Sequence, residues 1–579
     1  MSISRREFLQ LMAIASAAGL ALPGCSTMSR RKFQRAPDDF YDVPKFGNVS
    51  LMHFTDCHAQ LNPIWFREPN INIGIKQMNG RPPHLVGKHL LKYFGTKEHT
   101  ALAYAHTYLD YVEAAQVYGK VGGFSHLATL IQQLRATRPN SLLLDGGDTW
   151  QGSATSLWTD GQDMVDACLM LGVDAMTAHW EFTYGASRVS EIIDKSLHGK
   201  MDFLAQNVID TEWEEPVFQP YTLREMNGVQ VAIIGQAFPY TPIANPRYMV
   251  PDWSFGIRDD ELQKVVDRVY SKGAEVVVLL SHNGMDVDIK LASRVTGLHA
   301  ILGGHTHDAL PGPFPVKNPS GKSTLVVNSG SNGKFLSVLD FDVRNGEVKG
   351  HQFNILPIFS NLLKPDAKME THIKKVREPF KEKLDEKLAV TDELLYRRGN
   401  FNGTFDQVIL DALIKVKDAE IAFSPGFRWG VSKLPGEAVT FEDLMTQTAI
   451  TYPATTINLT DGARLKDILE DVCDNLFNKD PYYQQGGDMV RVAGLEFSID
   501  PLQEIGNRIS DMTLNGKPID AKKKYKVAGW ASVHQQPEDA TPIWDVVAEY
   551  MRDQKTIKIK KLNEPKIKNL GPNPGYAKL

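Results

Sequence analysis

Histidine and aspartate recur in one local setting along the first 310 residues, each where an apolar run gives way to a loop. The runs are Leu51-Met-His-Phe-Thr-Asp56-Cys-His58, Leu142-Leu-Leu-Asp-Gly-Gly-Asp148, His179-Trp-Glu-Phe182, Val276-Val-Val-Leu-Leu-Ser-His282 and Ile301-Leu-Gly-Gly-His305-Thr-His307. In a sheet flanked by helices, the carboxyl ends of the strands converge on one crevice. Five imidazoles and two carboxylates gathered there can hold two divalent cations with one carboxylate between them. Neutral imidazole with carboxylate suits manganese, iron or zinc, whereas calcium and magnesium prefer all-oxygen shells. Two such metals about 3.5–4 Å apart activate water and clamp a tetrahedral oxyanion. The pattern points to a binuclear metallohydrolase. His53, His84, His126 and His351 stand outside this setting and read as packing or surface residues, His84 alone being also a candidate for the pocket wall.

Positioning those side chains requires alternating strands and helices from residue 48 to about 355. Strands are predicted at 50–56, 141–145, 229–235, 275–281, 299–302 and 324–328, and helices at Gly122–Arg138, Met164–Leu171 and Asp260–Lys272. Residues 59–119 show little periodicity, and a stretch of that length reads as a functional loop. Met369, Ile373, Val376, Phe380, Leu384 and Leu388 recur at steps of three or four, which predicts an amphipathic connecting helix kinked at Pro379. A more mixed α/β region follows. The organisation expected is a leader at 1–30, a catalytic unit at 45–360, a linker helix at 361–394 and a second unit at 395–565.

The chain of 579 residues is long enough for more than one core. A net charge of −5, from 64 basic and 69 acidic side chains, gives no overall field that would favour nucleic acid. The locally basic stretch Lys555–Lys561, with Lys566 and Lys568, reads as an edge strand guarded by lysines. Ser4-Arg5-Arg6-Glu7-Phe8-Leu9 has the form of a twin-arginine signal. The apolar run Leu11–Leu22 behind it is shorter than the about 20 residues of a membrane span and fits a signal-peptide core. Export to the periplasm is expected. Cys25 follows Leu22-Pro-Gly, a lipobox-like string apart from its proline, so either Cys25 is acylated or cleavage falls nearby. Cys57, Cys168 and Cys473 are then an odd number, and no structural disulfide is expected. Cys57 lies between two ligand candidates; on a strand it would point away from both, which makes it a packing residue.

The order Asp-x-His, Gly-Asp, His-Trp-Glu-Phe, Ser-His-Asn-Gly, Gly-His-x-His resembles the calcineurin-like metallophosphoesterases and, with the second region, the two-domain 5'-nucleotidases. Longer strings narrow the resemblance to the SoxB branch: Met176–Gly185, Gly235–Arg247, Tyr396–Thr404, Phe423–Trp429 and Asp480–Arg491. It implies an N-terminal four-layer α/β sandwich and a C-terminal 5'-nucleotidase-like α/β domain. It implies that Asp56, His58 and His307 hold one metal and His179, His282 and His305 the other, with Asp148 between them. Both metals would be Mn²⁺, with Zn²⁺ or Fe²⁺ as rivals. The reaction implied is hydrolysis of a cysteine S-thiosulfonate on the C-terminal cysteine arm of the carrier SoxYZ, with other Sox proteins as further partners. Sulfate leaves and a persulfide stays on the arm.

Departures from the nucleotidase pattern carry chemical information. Where nucleotidases read Gly-Asn-His-Glu-Phe-Asp, this chain reads Ala178-His179-Trp180-Glu181-Phe182-Thr183. The asparagine ligand has become His179, the histidine that protonates a leaving alkoxide has become Trp180, and its orienting aspartate has become Thr183. Losing a general acid typically slows alkoxide expulsion about 10²–10⁴-fold. A persulfide needs no such help, because its conjugate acid is far stronger than an alcohol. The missing dyad argues against phosphate monoesters and fits a sulfur leaving group.

Trp180, Arg428 and Asp488 are the side chains expected at the reacting centre. Arg67, Arg397, Arg398, Asn400, Asn402 and Arg491 are expected around the sulfonate, since guanidinium matches an oxyanion fork, although each arginine also reads as a structural ion-pair partner. The second unit and the 59–119 segment should frame a narrow channel for a flexible arm. Two rivals stay open: a periplasmic 5'-nucleotidase or phosphomonoesterase, in which Tyr482 and Tyr483 would sandwich a base, and a metal-dependent scaffold with no catalytic role.

Overall fold

Side chains along each parallel strand divide between two cores, because successive residues point to opposite faces. In the strand Val49–Phe54, Val49 and Leu51 face a second sheet while Met52 and Phe54 face helices. In the strand Val276–Ser281, Val276, Val278 and Leu280 meet the first sheet, and Val277 and Leu279 pack outward against helices. Burial on both faces is why these strands read as unbroken apolar runs. The computed structural model describes residues 32–537 and 539–578; the twin-arginine string, the apolar run behind it and Cys25 lie outside the described residues.

The two six-stranded sheets pack face to face. One runs in the order Glu347–Pro357, Phe335–Arg344, Val49–Phe54, Leu142–Asp145, Ala175–Met176, Asp202–Phe203, and its last four strands are parallel. The other runs Phe314–Lys317, Ser323–Asn328, Ala300–Gly303, Val276–Ser281, Val229–Gln236, Tyr221–Met226, with the four central strands parallel. Helices Phe124–Thr137 and Gln162–Leu171 cover the first sheet, and Asp259–Ser271 and Met285–Ala292 the second, which makes four layers.

The second unit is built on the sheet order Thr455–Asp461, Lys524–Trp530, Ile421–Ser424, Arg491–Ala493. Helices Thr404–Lys417, Phe441–Thr448 and Ile543–Gln554 pack on one face, and Gly462–Phe477 on the other.

The connecting helix spans Ala367–Arg377 and breaks into a 3-10 turn at Glu378–Phe380, where Pro379 has no N–H to give. A further turn of helix, Lys381–Leu384, follows, and Leu388 belongs to the strand Lys387–Thr391 instead of the helix. A step of four is shared by a helix face and a strand face, so the spacing from Leu384 to Leu388 does not distinguish them. Met369 and Ile373 enter the first unit's core, and Leu384 and Leu388 the second's.

The 59–119 segment is not loop throughout. It carries the helices Lys88–Phe94, Ala101–His106 and Tyr111–Tyr118, of seven, six and eight residues, too short to repeat a pattern along the sequence. In the basic stretch Thr556–Ile557 is an edge strand beside Lys387–Thr391 and Lys566–Ile567 an edge strand beside Leu495–Ile499, while Lys558 and Lys561 pair with Asp392 and Glu496. Cys57, Cys168 and Cys473 are free and buried. Cys57 packs in the core from a loop, beyond the end of its strand. Among the described residues no helix is long and apolar enough to cross a membrane.

Candidate metal centre

Loops leaving the carboxyl ends of five parallel strands bring the seven histidines and aspartates together. Asp148, His179, His282 and His305 form one buried group, and Asp56, His58, Asp148 and His307 a second; in each, the ligand atoms lie within 4.8 Å of one another. Asp148 belongs to both. Its Oδ1 lies 3.3 Å from His179 Nδ1, and its Oδ2 lies 3.0 Å from His282 Nε2 and 3.7 Å from His58 Nε2. Asp56 Oδ1 is 3.2 Å from His307 Nε2. The backbone is bent to achieve this: Asp56, His58, Asp148, His305 and His307 all have positive φ, between 44° and 73°. Left-handed backbone at five non-glycine residues is strain of the kind that collects at functional sites.

Electrostatics fit the donor set to cations. His58 Nε2 and His307 Nε2 are 3.1 Å apart, and burial drives the His58 imidazole down to about 4 and His307 well below the usual range, so both rings are neutral. Two neutral rings so close present lone pairs to the same point, which a divalent cation would accept. Although burial opposes it, Asp148 and Asp56 lift His282 to about 10; burial pushes the Asp56 carboxyl up to about 6. A proton on His282 stands where a metal's charge would. His305 Nε2 is buried without a hydrogen-bond partner, and the polar side chain within reach of His179 Nδ1 is the shared Asp148, an arrangement that ligation would complete. The residues therefore form a site able to hold two metal ions.

A supporting layer orients the ligands, as metal sites require. His282 Nδ1 meets Gly146 O at 2.6 Å, His58 Nδ1 meets Gln151 O at 3.3 Å, and His179 Nε2 meets Asn245 Oδ1 at 3.2 Å. Asn245 is itself held by Tyr452, to whose hydroxyl its Nδ2 donates. Glu181, fully buried, accepts main-chain N–H bonds from Asp148, Thr149, Trp150 and His179, fastening two ligand loops to one carboxylate. Phe238 stacks on His305 with centroids 4.2 Å apart, and Trp429 on His58 at 5.0 Å. At Gly486, with φ +74°, an added Cβ would lie 2.0 Å from His305 Nε2, so the second unit's backbone closes directly over the centre. Sequence patterns do not single out Glu181, Asn245, Phe238, Trp429 or Gly486 as supports. An acidic residue buried between ligands was the one available signal, at Glu181.

The expected substrate residues separate into two sets. Arg398, Asn400 and Arg428 line a cavity of about 50 Å³ together with His305, and with Asn72, Ile73 and His84 from the 59–119 segment. Arg398 Nε and Arg428 Nη1 are buried there with no partner. Asp488 backs this wall, accepting from Arg428 (3.3 Å), Asn400 (3.3 Å) and Arg491 (3.2 Å). Burial works to raise the Asp488 carboxyl, but Arg428, Arg491 and Arg398 outweigh it and hold it below the ordinary range.

The other set faces elsewhere. Arg67 lies on the Tyr396 ring, 4.1 Å from its centroid, and bonds Asn70. Arg397 is committed to Asp406 and Gln447 O, Arg491 to Asp406, Asp488 and Gly399 O, and Asn402 to Gln407 and Val492 O. These four are not on the cavity wall; their polar atoms brace the motif loops. His84 is on the wall, its Nε2 2.9 Å from Asp286. His53 pairs with Ser329 and His126 with Leu363 O.

Trp180 is buried edge-on to Phe427 and Trp429 and parallel to Tyr452. Its main-chain N–H donates to Asp148 Oδ1 at 2.8 Å, and Thr183 Oγ1 donates back to Trp180 O. Tyr482 lies under Lys290 and bonds Asp259, while Tyr483 is 65% exposed, so the two do not sandwich a ligand.

Residues 389–536 match the family described as 5'-nucleotidase, C-terminal domain. The chain is 29% identical over 282 residues to a 5'-nucleotidase of Rattus norvegicus, an alignment covering 44% of the chain and about half the length of that relative, 47%. It is 25% identical over 459 residues to the snake venom 5'-nucleotidase of Naja atra, covering 70% of the chain and 83% of the relative. Among solved structures, the sulfate thiohydrolase SoxB of Thermus thermophilus superposes with a TM-score of 0.87 at 35% identity, over 91% of this chain and 98% of that one. A 5'-nucleotidase precursor from Thermus thermophilus shares the fold, with a TM-score of 0.72 at 20% identity over 90% of this chain and 99% of that one.

Proposed function

The chain belongs to the SoxB family, within the 5'-nucleotidase superfamily, and on that premise we propose that it is a periplasmic dimanganese hydrolase releasing sulfate from a cysteine S-thiosulfonate carried on SoxYZ. The observation that carries the reading is the pairing of two cation groups around Asp148 with Trp180 where a phosphomonoesterase needs its acid. Asp56, His58, Asp148 and His307 would hold one metal, and Asp148, His179, His282 and His305 the other. Two divalent cations bound there would supply Lewis acidity and an activated water at neutral pH.

The chain's own groups do the rest. Arg398 and Arg428 offer unpartnered guanidinium N–H groups to sulfonate oxygens, and Asp488 fixes the Arg428 fork. As the S–S bond breaks, the electron pair goes to the sulfane sulfur, which leaves as a persulfide anion, so no proton has to be delivered. The aromatic side chains Trp180, Phe427 and Trp429 place no proton donor of nucleotidase type beside the leaving group. The narrow cavity, bounded by the 59–119 segment and the second unit, suits a thin extended arm better than a nucleoside. The twin-arginine string supports export.

The test is sulfate release from thiosulfonate-loaded carrier, set against phosphate release from nucleotides, with metal content measured on the same sample. Sulfate release alone is expected. Faster phosphate release would replace this reading with a nucleotidase, and two bound metals with neither product would leave the scaffold.

A further inference from the structure

Residues 72–86 form a loop whose two ends are stapled together by neighbouring residues of a distant segment. Gly575 O accepts from Asn72 N–H at 2.7 Å, and Pro574 O from Val86 N–H at 3.1 Å. Asn573 Nδ2 donates to Gly74 O at 2.7 Å, while its Oδ1 takes the Gly575 N–H at 2.9 Å. Ala577 and Asn70 exchange two more bonds, Ala577 N–H to Asn70 O at 3.0 Å and Asn70 Nδ2 to Ala577 O at 3.1 Å. The fit is close: a Cβ on Gly575 would lie 2.0 Å from Asn72 O. Gly575 does not have positive φ, so glycine serves there for close approach and not for backbone freedom. Pro572 and Pro574, with φ set by their rings, limit the shapes the segment can take.

The stapled loop is a wall of the cavity beside the metal centre. Asn72, Ile73, Pro83 and His84 line it together with Arg398 and Arg428. Main-chain groups of 70–73 alternate sides as in a strand. Those of Asn70 and Asn72 go to 575–577, whereas Ile71 O accepts from Asn400 N–H at 3.0 Å and Ile73 N–H donates to Asn400 Oδ1 at 2.7 Å. The wall is therefore one strand thick, held between the 573–577 segment and the loop that carries Arg398 and Asn400. Asn72 Nδ2 ties the two limbs of the wall, donating to Pro83 O at 3.1 Å, and reaches Asp308 Oδ1 at 3.1 Å.

Given a thiosulfonate-loaded arm as substrate, the reading on which this rests, we propose that Asn573-Pro-Gly575 is a positioning clamp that sets how tightly the arm is gripped. By holding Asn72 and Val86 together it keeps the wall closed on a thin extended chain. Released from the clamp, the strand 70–73 keeps hydrogen bonds on one side only, and the wall gives way. Contacts along the arm, away from the breaking S–S bond, are made equally before and during the reaction. Their loss raises KM and leaves kcat alone.

Two variants of the full-length, metal-loaded protein test this, with sulfate release from loaded carrier and hydrogen–deuterium exchange over 70–86 as readouts. Gly575→Ala drives the clamp and Asn72 O apart, and Asn573→Ala, the milder change, removes the bond to Gly74 O. Both should raise KM by about fivefold or more, the scale of one neutral hydrogen bond, at unchanged kcat and metal content. Both should also speed exchange of the Asn72 and Val86 amides. The control is Asn569→Ala, which loses a 2.7 Å bond to Asp500 within the second unit. It should lower the unfolding midpoint yet leave KM and exchange at 70–86 as in the parent. The clamp is overturned if an active parent and both variants share one KM, if exchange over 70–86 does not change, or if Asn569→Ala raises KM as much. A parent that releases no sulfate from the carrier would instead sink the thiosulfonate reading, and the clamp's role in gripping the arm with it.

Discussion

Replacing Glu181 by Gln changes one atom in a side chain that touches no substrate, yet it should loosen both metal groups. The carboxylate accepts four main-chain N–H bonds, two at each oxygen: Thr149 (2.7 Å) and Trp150 (3.2 Å) at Oε1, Asp148 (3.2 Å) and His179 (2.9 Å) at Oε2. Whichever way the new amide turns, its NH₂ must face two of these donors. A buried donor left without an acceptor costs about 1–3 kcal/mol, so two cost roughly 2–6 kcal/mol. The loss falls on the loops carrying Asp148 and His179, and Asp148 belongs to both cation groups. Urea unfolding should show a lower midpoint with an unchanged slope. Metal analysis after dialysis should find fewer than two ions per chain. If the variant unfolds within about 0.5 kcal/mol of the parent, as a surface substitution would, and keeps two metals, the supporting role assigned to Glu181 is wrong.

Asp148→Ala should lower occupancy at both metal positions together, checked by elemental analysis, because its two oxygens face different histidines. Trp180→His with Thr183→Asp restores the nucleotidase dyad while keeping the Trp180 main-chain bond to Asp148. It should gain hydrolysis of a small alkyl phosphate without improving sulfate release, and a parent enzyme already as fast on that ester would show that Trp180 merely packs. Arg428→Lys loses the fork that meets Asp488 and the cavity at once. KM for the loaded carrier should rise about tenfold at constant metal content, the scale of one charge-assisted hydrogen bond. Arg5→Lys with Arg6→Lys should hold the precursor in the cytoplasm, read by cell fractionation against the unaltered protein.

The metal-ligand candidates were legible because period and punctuation coincide. A strand buried on both faces must be an apolar run, and a polar residue just past its end has one crevice to face. Asp56, Asp148 and His282 follow from that rule without coordinates, as does the helix break at Pro379. Trp180 is legible for another reason: a substitution inside an otherwise recognisable string reports on chemistry directly.

Local sequence could not decide how the polar motif residues of the second unit divide their work. Arg397, Arg398 and Arg428 have the same fork, yet Arg397 turns to Asp406 and Gln447 O, away from the cavity, while Arg398 and Arg428 stand on its wall. The difference depends on Asp406, in the first turn of the helix Thr404–Lys417, which meets Arg397 and Arg491, and on Asp488, which meets Arg428 and Arg491. The closeness of Gly486 to His305 is likewise a fact of two units meeting. Sequence therefore determined the donor types and the strand ends that present them, because both follow from hydrophobic period and side-chain chemistry within a few residues. Tertiary structure alone decided which guanidinium stands on the cavity wall and which is spent inside the second unit, because that depends on how the motif loops around Arg397, Arg428 and Asp488 meet in space.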